Sequence, residues 1–404
     1  MNKQREIVSA LLIIDFVLLI IFGKTYSKLE IFEFGFHAHD LFLLILAFFC
    51  AFKFNFKQNR IYSIEIVLGL SIVYLIVSFW NIDFNFTSPK IFYIVRQYAI
   101  VGYIGIFYVI SKFLFEGKEL LKYWIKMIFF LSAGCFLIQL LYITYMYFCS
   151  DRILYLTKNA FSPIISLGLI VFNCGILASK KHNKKIKFFS CLLTFLISIS
   201  IHHDSLYLAL FIIWALYFFI RLSNNKKVFS IIASLFLVAL LFFLLPSLSD
   251  VNAQWRLIYW HSVFEKIIEN YFILGDGFGI QYISDETIEK LNKLMISEGH
   301  VYTVITEEEK YTTGAHNSFL SFGQHLGLAS LFLLFYPLVI GIKGLKIRDN
   351  TNLIFLLLSI SGMSVFSFFN VILELPHSSS FYWIVFLILI YYINGIKIQD
   401  KKRL

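Results

Sequence analysis

The chain has 404 residues, of which 59% are hydrophobic and only 15% charged, and its mean hydropathy is +0.77. A soluble protein of this length could not bury that much apolar surface, whereas a chain solvated by lipid carries it without penalty. The net charge of +10 is not clustered on one basic face with a fold to carry it, which excludes nucleic-acid binding.

The first residues, Met1 to Arg5, precede an apolar run with no small-residue cleavage site, so an uncleaved first span is expected. Apolar runs of about 20 residues, the length that crosses a bilayer as helix, then recur near residues 6–22, 37–54, 62–80, 91–112, 125–148, 161–179, 188–201, 205–221, 228–247, 317–341, 351–373 and 380–396. The fold class predicted is an all-α integral membrane protein of about twelve helices. Residues 1–404 form a single polytopic domain, and residues 248–316 form an extracytoplasmic loop subdomain between the ninth and tenth spans. The seventh and eighth runs are short and meet at His202-His203-Asp204, either as a tight hairpin or as a broken re-entrant pair. The 47 Phe and 23 Tyr suit lipid contact and interfacial anchoring. An AT-rich coding sequence would produce the same bias.

Orientation follows from Lys and Arg. With the N-terminus in the cytoplasm, most of the 35 basic residues fall on the inner side, in groups such as Lys53, Lys57 and Arg60, or Lys180 to Lys187. Both termini are then cytoplasmic. The Lys180–Lys187 loop reads as solvated and close to anionic headgroups. The five cysteines lie within or at the edge of apolar runs and make no CxxC pair, so they read as small buried hydrophobes.

Acidic residues collect on the outer side, and residues 248–316 form its main feature. Loops longer than about 15 residues are usually functional or disordered. Within this one, Trp255, Ile258, Tyr259, Val263, Ile267, Ile268 and Phe272 recur at helical spacing, which predicts an amphipathic helix at the outer boundary. A weaker helical pattern spans residues 285–296.

Several polar residues are candidates for chemistry. His316-Asn317 stands where the loop re-enters the membrane, at the depth of a lipid diphosphate. A histidine there can take a proton near neutral pH or simply be structural, and Asn317 can cap the next helix. Gly275-Asp276-Gly277-Phe278-Gly279 allows positive φ and close backbone approach, but its spacing is not that of a nucleotide-binding loop. Arg256 either snorkels or clamps a phosphate. Arg96 lies inside the fourth span, where a charge faces a cavity or a partner. Asp15 and Glu65 also lie in spans, and Asp15 calls for a cation that the sequence does not name. His202-His203-Asp204 has metal-ligand residue types, but adjacent histidines rarely ligate one ion well. Phosphate binding, hydrogen bonding or plain loop polarity remain as readings for it.

In order, Arg256 with Trp260, Gly275-Asp276-Gly277, His316-Asn317 and Gly327 resemble the O-antigen polymerase and O-antigen ligase superfamily, over about 80 residues. The resemblance implies a GT-C-type, metal-independent, inverting glycosyltransferase without cofactor, in the bacterial inner membrane with its site facing the periplasm. Its donor is a glycan on undecaprenyl diphosphate. The acceptor is another glycan (polymerase) or lipid A-core (ligase), with membrane lipid and a chain-length regulator as further partners. By the same resemblance His316 activates the acceptor hydroxyl and Arg256 binds the diphosphate, while Arg96, His202, His203, Trp260, Asn317 and Gly277 contact diphosphate or glycan. One departure stands out. Many members carry Ser-Arg at the outer turn that here reads His202-His203-Asp204, so either these histidines or Arg96 supply the second contact. The polymerase reading is preferred to the ligase. A lipid-glycan flippase would suit twelve spans, but no inverted repeat or paired broken helices are visible.

Overall fold

The computed structural model describes residues 3–27, 29–32, 36–53, 60–83, 90–116, 118–148, 161–180, 183–199, 204–221, 251–269, 275–297, 306–312, 314, 316–327, 334–336, 339 and 350–401. The protein is overwhelmingly helical. Its helices are α1 (Lys3–Phe22), α2 (Lys24–Ser27), α3 (Ala38–Lys53), α4 (Tyr62–Trp80), α5 (Lys90–Leu114), α6 (Lys118–Phe148), α7 (Pro163–Ala178), α8 (Lys184–Ile199), α9 (Asp204–Arg221), α10 (Val251–Glu269), α11 (Asp285–Ser297), α12 (Glu307–Thr312), α13 (Ser318–Leu326), α14 (Thr351–Phe368) and α15 (Pro376–Lys401). One small antiparallel hairpin, β1 (Glu30–Phe32) with β2 (Phe36–His37), joins α2 to α3.

Among the described residues, six helices are long and apolar enough to cross a membrane: α4, α5, α6, α9, α14 and α15. The helices follow the apolar runs of the sequence closely, because a run that lipid surrounds must satisfy its backbone internally. The run at 228–247 lies outside the described residues. The run at 317–341 is not one continuous helix from its start. α13 stops at Leu326, and Gly327 adopts φ 71, a conformation that ends a helix.

α15, α14 and α7 form the centre. Every residue from Phe381 to Ile390 is buried, as are nearly all apolar residues of α7 and α14. α4 and α6 lie at the periphery and expose Ile66, Val73 and Val77, and Phe130, Leu137 and Leu141. Surface of that kind is costly in water but costs nothing against lipid tails.

Polar contacts sort the helix ends onto two faces. Arg5 at the start of α1 pairs with Glu116 beyond the end of α5. On the same face Glu65 near the start of α4 accepts from Arg60 at 2.7 Å and from Tyr108 of α5 at 2.6 Å. Lys187 of α8 donates to the carbonyl of Leu177 at the end of α7 at 2.8 Å. On the opposite face lie α10 to α13, the end of α4 and the start of α15. The buried partner of Asp15 is His39: Asp15 Oδ1 lies 3.0 Å from His39 Nδ1 and accepts from Tyr26 at 2.8 Å. His39 Nε2 lies 3.2 Å from Ser380 Oγ, so α1, α3 and α15 meet at one buried junction.

Candidate active site

α10 forms because Tyr259, Val263 and Ile267 repeat at i, i+4 and bury against Tyr282, Ile283 and Leu291 in a small core of their own. Ile268 is exposed together with Leu257 and Phe264. The helix therefore has two apolar stripes, one facing the loop and one facing out. Trp260 locks α10 onto the end of α14, with its ring 5.5 Å from Phe368 and 5.6 Å from Phe369. Trp255 is the ring that meets His316, edge-on at 5.6 Å.

His316 is held in a left-handed conformation at φ 50, its amide donating to the Gly314 carbonyl at 2.8 Å. Such backbone is uncommon outside glycine and stores strain. Asn317 follows in extended backbone and caps α13, its Oδ1 accepting from the amides of Phe319 (3.0 Å) and Leu320 (3.1 Å). Its Nδ2 is buried with no hydrogen-bond partner among the described residues. Two causes hold His316 below the usual histidine range: burial first, then the positive charge of Arg256. The pair is thus close enough to interact, and its ring is biased toward the neutral, proton-accepting form.

The turn is pinned from beneath. Ser318 Oγ accepts from the amides of Ile372 (2.8 Å) and Leu373 (3.1 Å), which leaves its proton for Glu374 Oε2 at 2.5 Å. Glu374 is half-buried with its Oε1 enclosed, and loss of water around the carboxyl raises it above the ordinary range against the opposing pull of the serine hydroxyls. A Cβ at Gly314 would stand 3.1 Å from Ser321 Oγ and 3.7 Å from Glu374 Oε1, so the bare backbone lets the turn cross directly over the carboxylate. Asn370, in the same loop as Glu374, donates to Ser205 Oγ at 2.7 Å. The start of α9 is therefore drawn to this site. His202 and His203 themselves lie outside the described residues.

The glycine turn is stitched on both sides. Asp276 and Gly277 donate to the carbonyls of Gln324 and His325 at 2.7 and 3.0 Å. The Gly277 carbonyl can only accept, so the His325 Nδ1 at 2.7 Å carries the proton, and Tyr282 Oη stands 2.9 Å from Nε2. On the other side Gln97 uses its whole amide. Oε1 accepts from Gly279 (2.7 Å) and Ile280 (3.2 Å), and Nε2 donates to the carbonyls of Ile280 (2.7 Å) and Tyr311 (2.9 Å). Gly275 has φ 75, and a Cβ there would lie 2.3 Å from the Gly327 nitrogen, so no other residue fits.

Arg96, beside Gln97, is exposed, with its guanidinium 5.9 Å over the Phe92 ring, and its charge reaches Tyr282. His316, Arg256 and Asn317 thus come together, with Trp255 as a wall, while Trp260 and Gly277 are engaged in packing and backbone bonding nearby. Sequence reasoning passed over Gln97, His325 and Glu374. Each was legible only as a polar residue in or beside an apolar run, the kind of placement that usually marks a site. A cavity of about 580 Å³ between α10 and α11 is lined by His261, Glu265, Lys266 and Lys290 among others, but by neither His316 nor Arg256. Among the described residues no group of three His, Cys, Asp or Glu side chains could hold a metal ion. No protein-family model matches the chain, and no curated protein sequence matches it.

Proposed function

We propose that the protein is a membrane glycosyltransferase of the GT-C type that polymerises oligosaccharide repeat units carried on undecaprenyl diphosphate. The reading includes about twelve spans, a place in the bacterial inner membrane, cytoplasmic termini and a site open to the periplasm. The observation that carries it is the half-buried His316 ring, set edge-on to Trp255 at 5.6 Å just before α13 and within reach of the positive charge of Arg256. Glycosyl transfer from a lipid diphosphate needs two things at one point. A base must take the proton of the acceptor hydroxyl, and positive charge must meet the diphosphate as the anomeric bond breaks. A histidine kept neutral beside an arginine answers both needs. Asn317 adds a buried donor, Nδ2, whose partner would be a substrate oxygen. Glu374 and Ser318 hold the turn and leave the chemistry to His316.

The test is His316→Ala in the native membrane. Lipid-linked single units should accumulate and long-chain glycan disappear, with transfer slowed by about 10²–10⁴-fold, the usual worth of a general base. Unchanged glycan length at normal protein level would sink the assignment. Accumulation of finished lipid-linked chains instead of single units would turn the reading toward a ligase.

A further inference from the structure

Where the glycine turn crosses α4 and α5 it walls a cavity of about 470 Å³, in the lower part of the range of roughly 300–1,000 Å³ usual for small-ligand sites. Its walls are of two kinds. Tyr74, Val77 and Ile94 are apolar, whereas Asp276, Asn81 and Lys90 bring a carboxylate, an amide and an ammonium group. The turn is rigid. Phe278 donates to Ser78 Oγ at 3.1 Å, and Gly279 donates to Gln97 at 2.7 Å. A Cβ at Gly277 would project to 3.4 Å from Ser78 Oγ and 3.9 Å from the Tyr74 ring. The absence of a side chain therefore keeps that wall recessed.

An apolar face opposite hydrogen-bonding groups fits a sugar ring, which presents C–H bonds on one face and hydroxyls around its edge. A carboxylate accepts from two neighbouring hydroxyls, and an amide both donates and accepts. Asp276 is half-buried, with Lys266 opposing the effect of its burial, and with Lys90 it gives the cavity one acidic and one basic group, so no excess of positive charge selects a phosphate there. The turn is bonded to Gln324 and His325, at the far end of α13 from His316, which is roughly 13 Å along a helix rising 1.5 Å per residue. That distance exceeds one sugar ring.

We propose that this cavity is a saccharide subsite that holds an uncharged sugar ring, its hydroxyl edge on Asp276 and Asn81 and its C–H face on Tyr74. The source of that sugar, a residue of the glycan away from the reacting bond, rests on the transferase reading; the binding chemistry does not.

The experiment is saturation-transfer NMR on the full chain in phospholipid nanodiscs. The probes are free hexoses, N-acetylhexosamines and 6-deoxyhexoses, with inorganic phosphate as competitor. At least one neutral sugar should receive saturation. Asp276→Asn and, on the exposed rim, Asn81→Ala should each weaken it about tenfold, the scale of losing a charge-assisted or paired hydrogen bond. Phosphate should not displace it. Three results would overturn the subsite: no sugar in the panel binds, neither variant weakens binding, or phosphate competes the sugar away. Sugar binding that Asp276→Asn abolishes, with glycan length unchanged in His316→Ala, keeps the subsite and removes the transferase reading. Loss of long chains in His316→Ala with no sugar bound does the reverse.

Discussion

His316 shows how one residue's chemistry is set by its neighbours. Its folded-state pKa lies below the ordinary value near 6.5. As pH falls below the ordinary value the unfolded chain takes up the proton first, so stability is lost on acidification through that window and is constant above it. For a base the same shift keeps the ring neutral to lower pH, so the rate should rise with pH along an acid limb below 6.5. Arg256 is the second cause of the shift, and removing its charge lets the ring protonate more readily. Arg256→Gln should therefore move the acid limb upward and reduce the maximal rate as well. A limb that stays in place in that variant would separate the two residues. Arg256 and His316 were readable as candidates from their place in the loop. The reach of one charge to the other was not, because it depends on how residues 60 positions apart are folded together.

At the scale of elements, the glycine turn is a backbone strip clamped between α13 and α5. Gly275→Ala should destabilise the loop beyond the roughly 1 kcal/mol of an ordinary helix Gly/Ala difference, because the left-handed φ and the 2.3 Å approach to Gly327 both forbid the methyl group. Proteolysis of the outer loop at a fixed protease concentration would measure it, and wild-type resistance would contradict the close packing. Spacing made α10 and α11 legible as helices, and the positions of Tyr259, Val263 and Ile267 made their buried face legible. Which apolar residues pack inward and which, like Ile268, stay exposed was not legible, because periodicity alone does not say which stripe goes where. Gln97 was missed for another reason. Its partners lie 182 to 214 residues away, and no local pattern reports a bond of that range.

For the whole molecule, hydropathy made the helices legible because lipid imposes one rule on every span. It did not show which spans lie at the centre. α15 and α4 are both apolar, yet one is enclosed and the other faces outward. What distinguishes them is packing: α15 lies against α5, α7 and α14 and reaches the Asp15–His39 junction through Ser380, whereas α4 packs mainly on α5. His39→Leu should cost about 1–3 kcal/mol, since it removes a hydrogen-bond partner of both Asp15 and Ser380 inside the protein. Asp15→Leu combined with His39→Leu should recover most of that loss. Thermal midpoints of the purified protein in detergent would show it, and a double variant no more stable than His39→Leu alone would mean the junction does not act as a pair.

That junction also bears on how the protein is made. Asp15 is made with α1. His39 follows 24 residues later, but Ser380 is 341 residues beyond His39. At a synthesis rate of roughly 5–20 residues per second, that interval is about 20–70 s. Throughout it α1 and α3 wait with this junction unfinished, and α15 completes the contact begun by α1. A nascent chain that stops before Pro376 therefore leaves His39 without Ser380, an open polar junction that quality control can read.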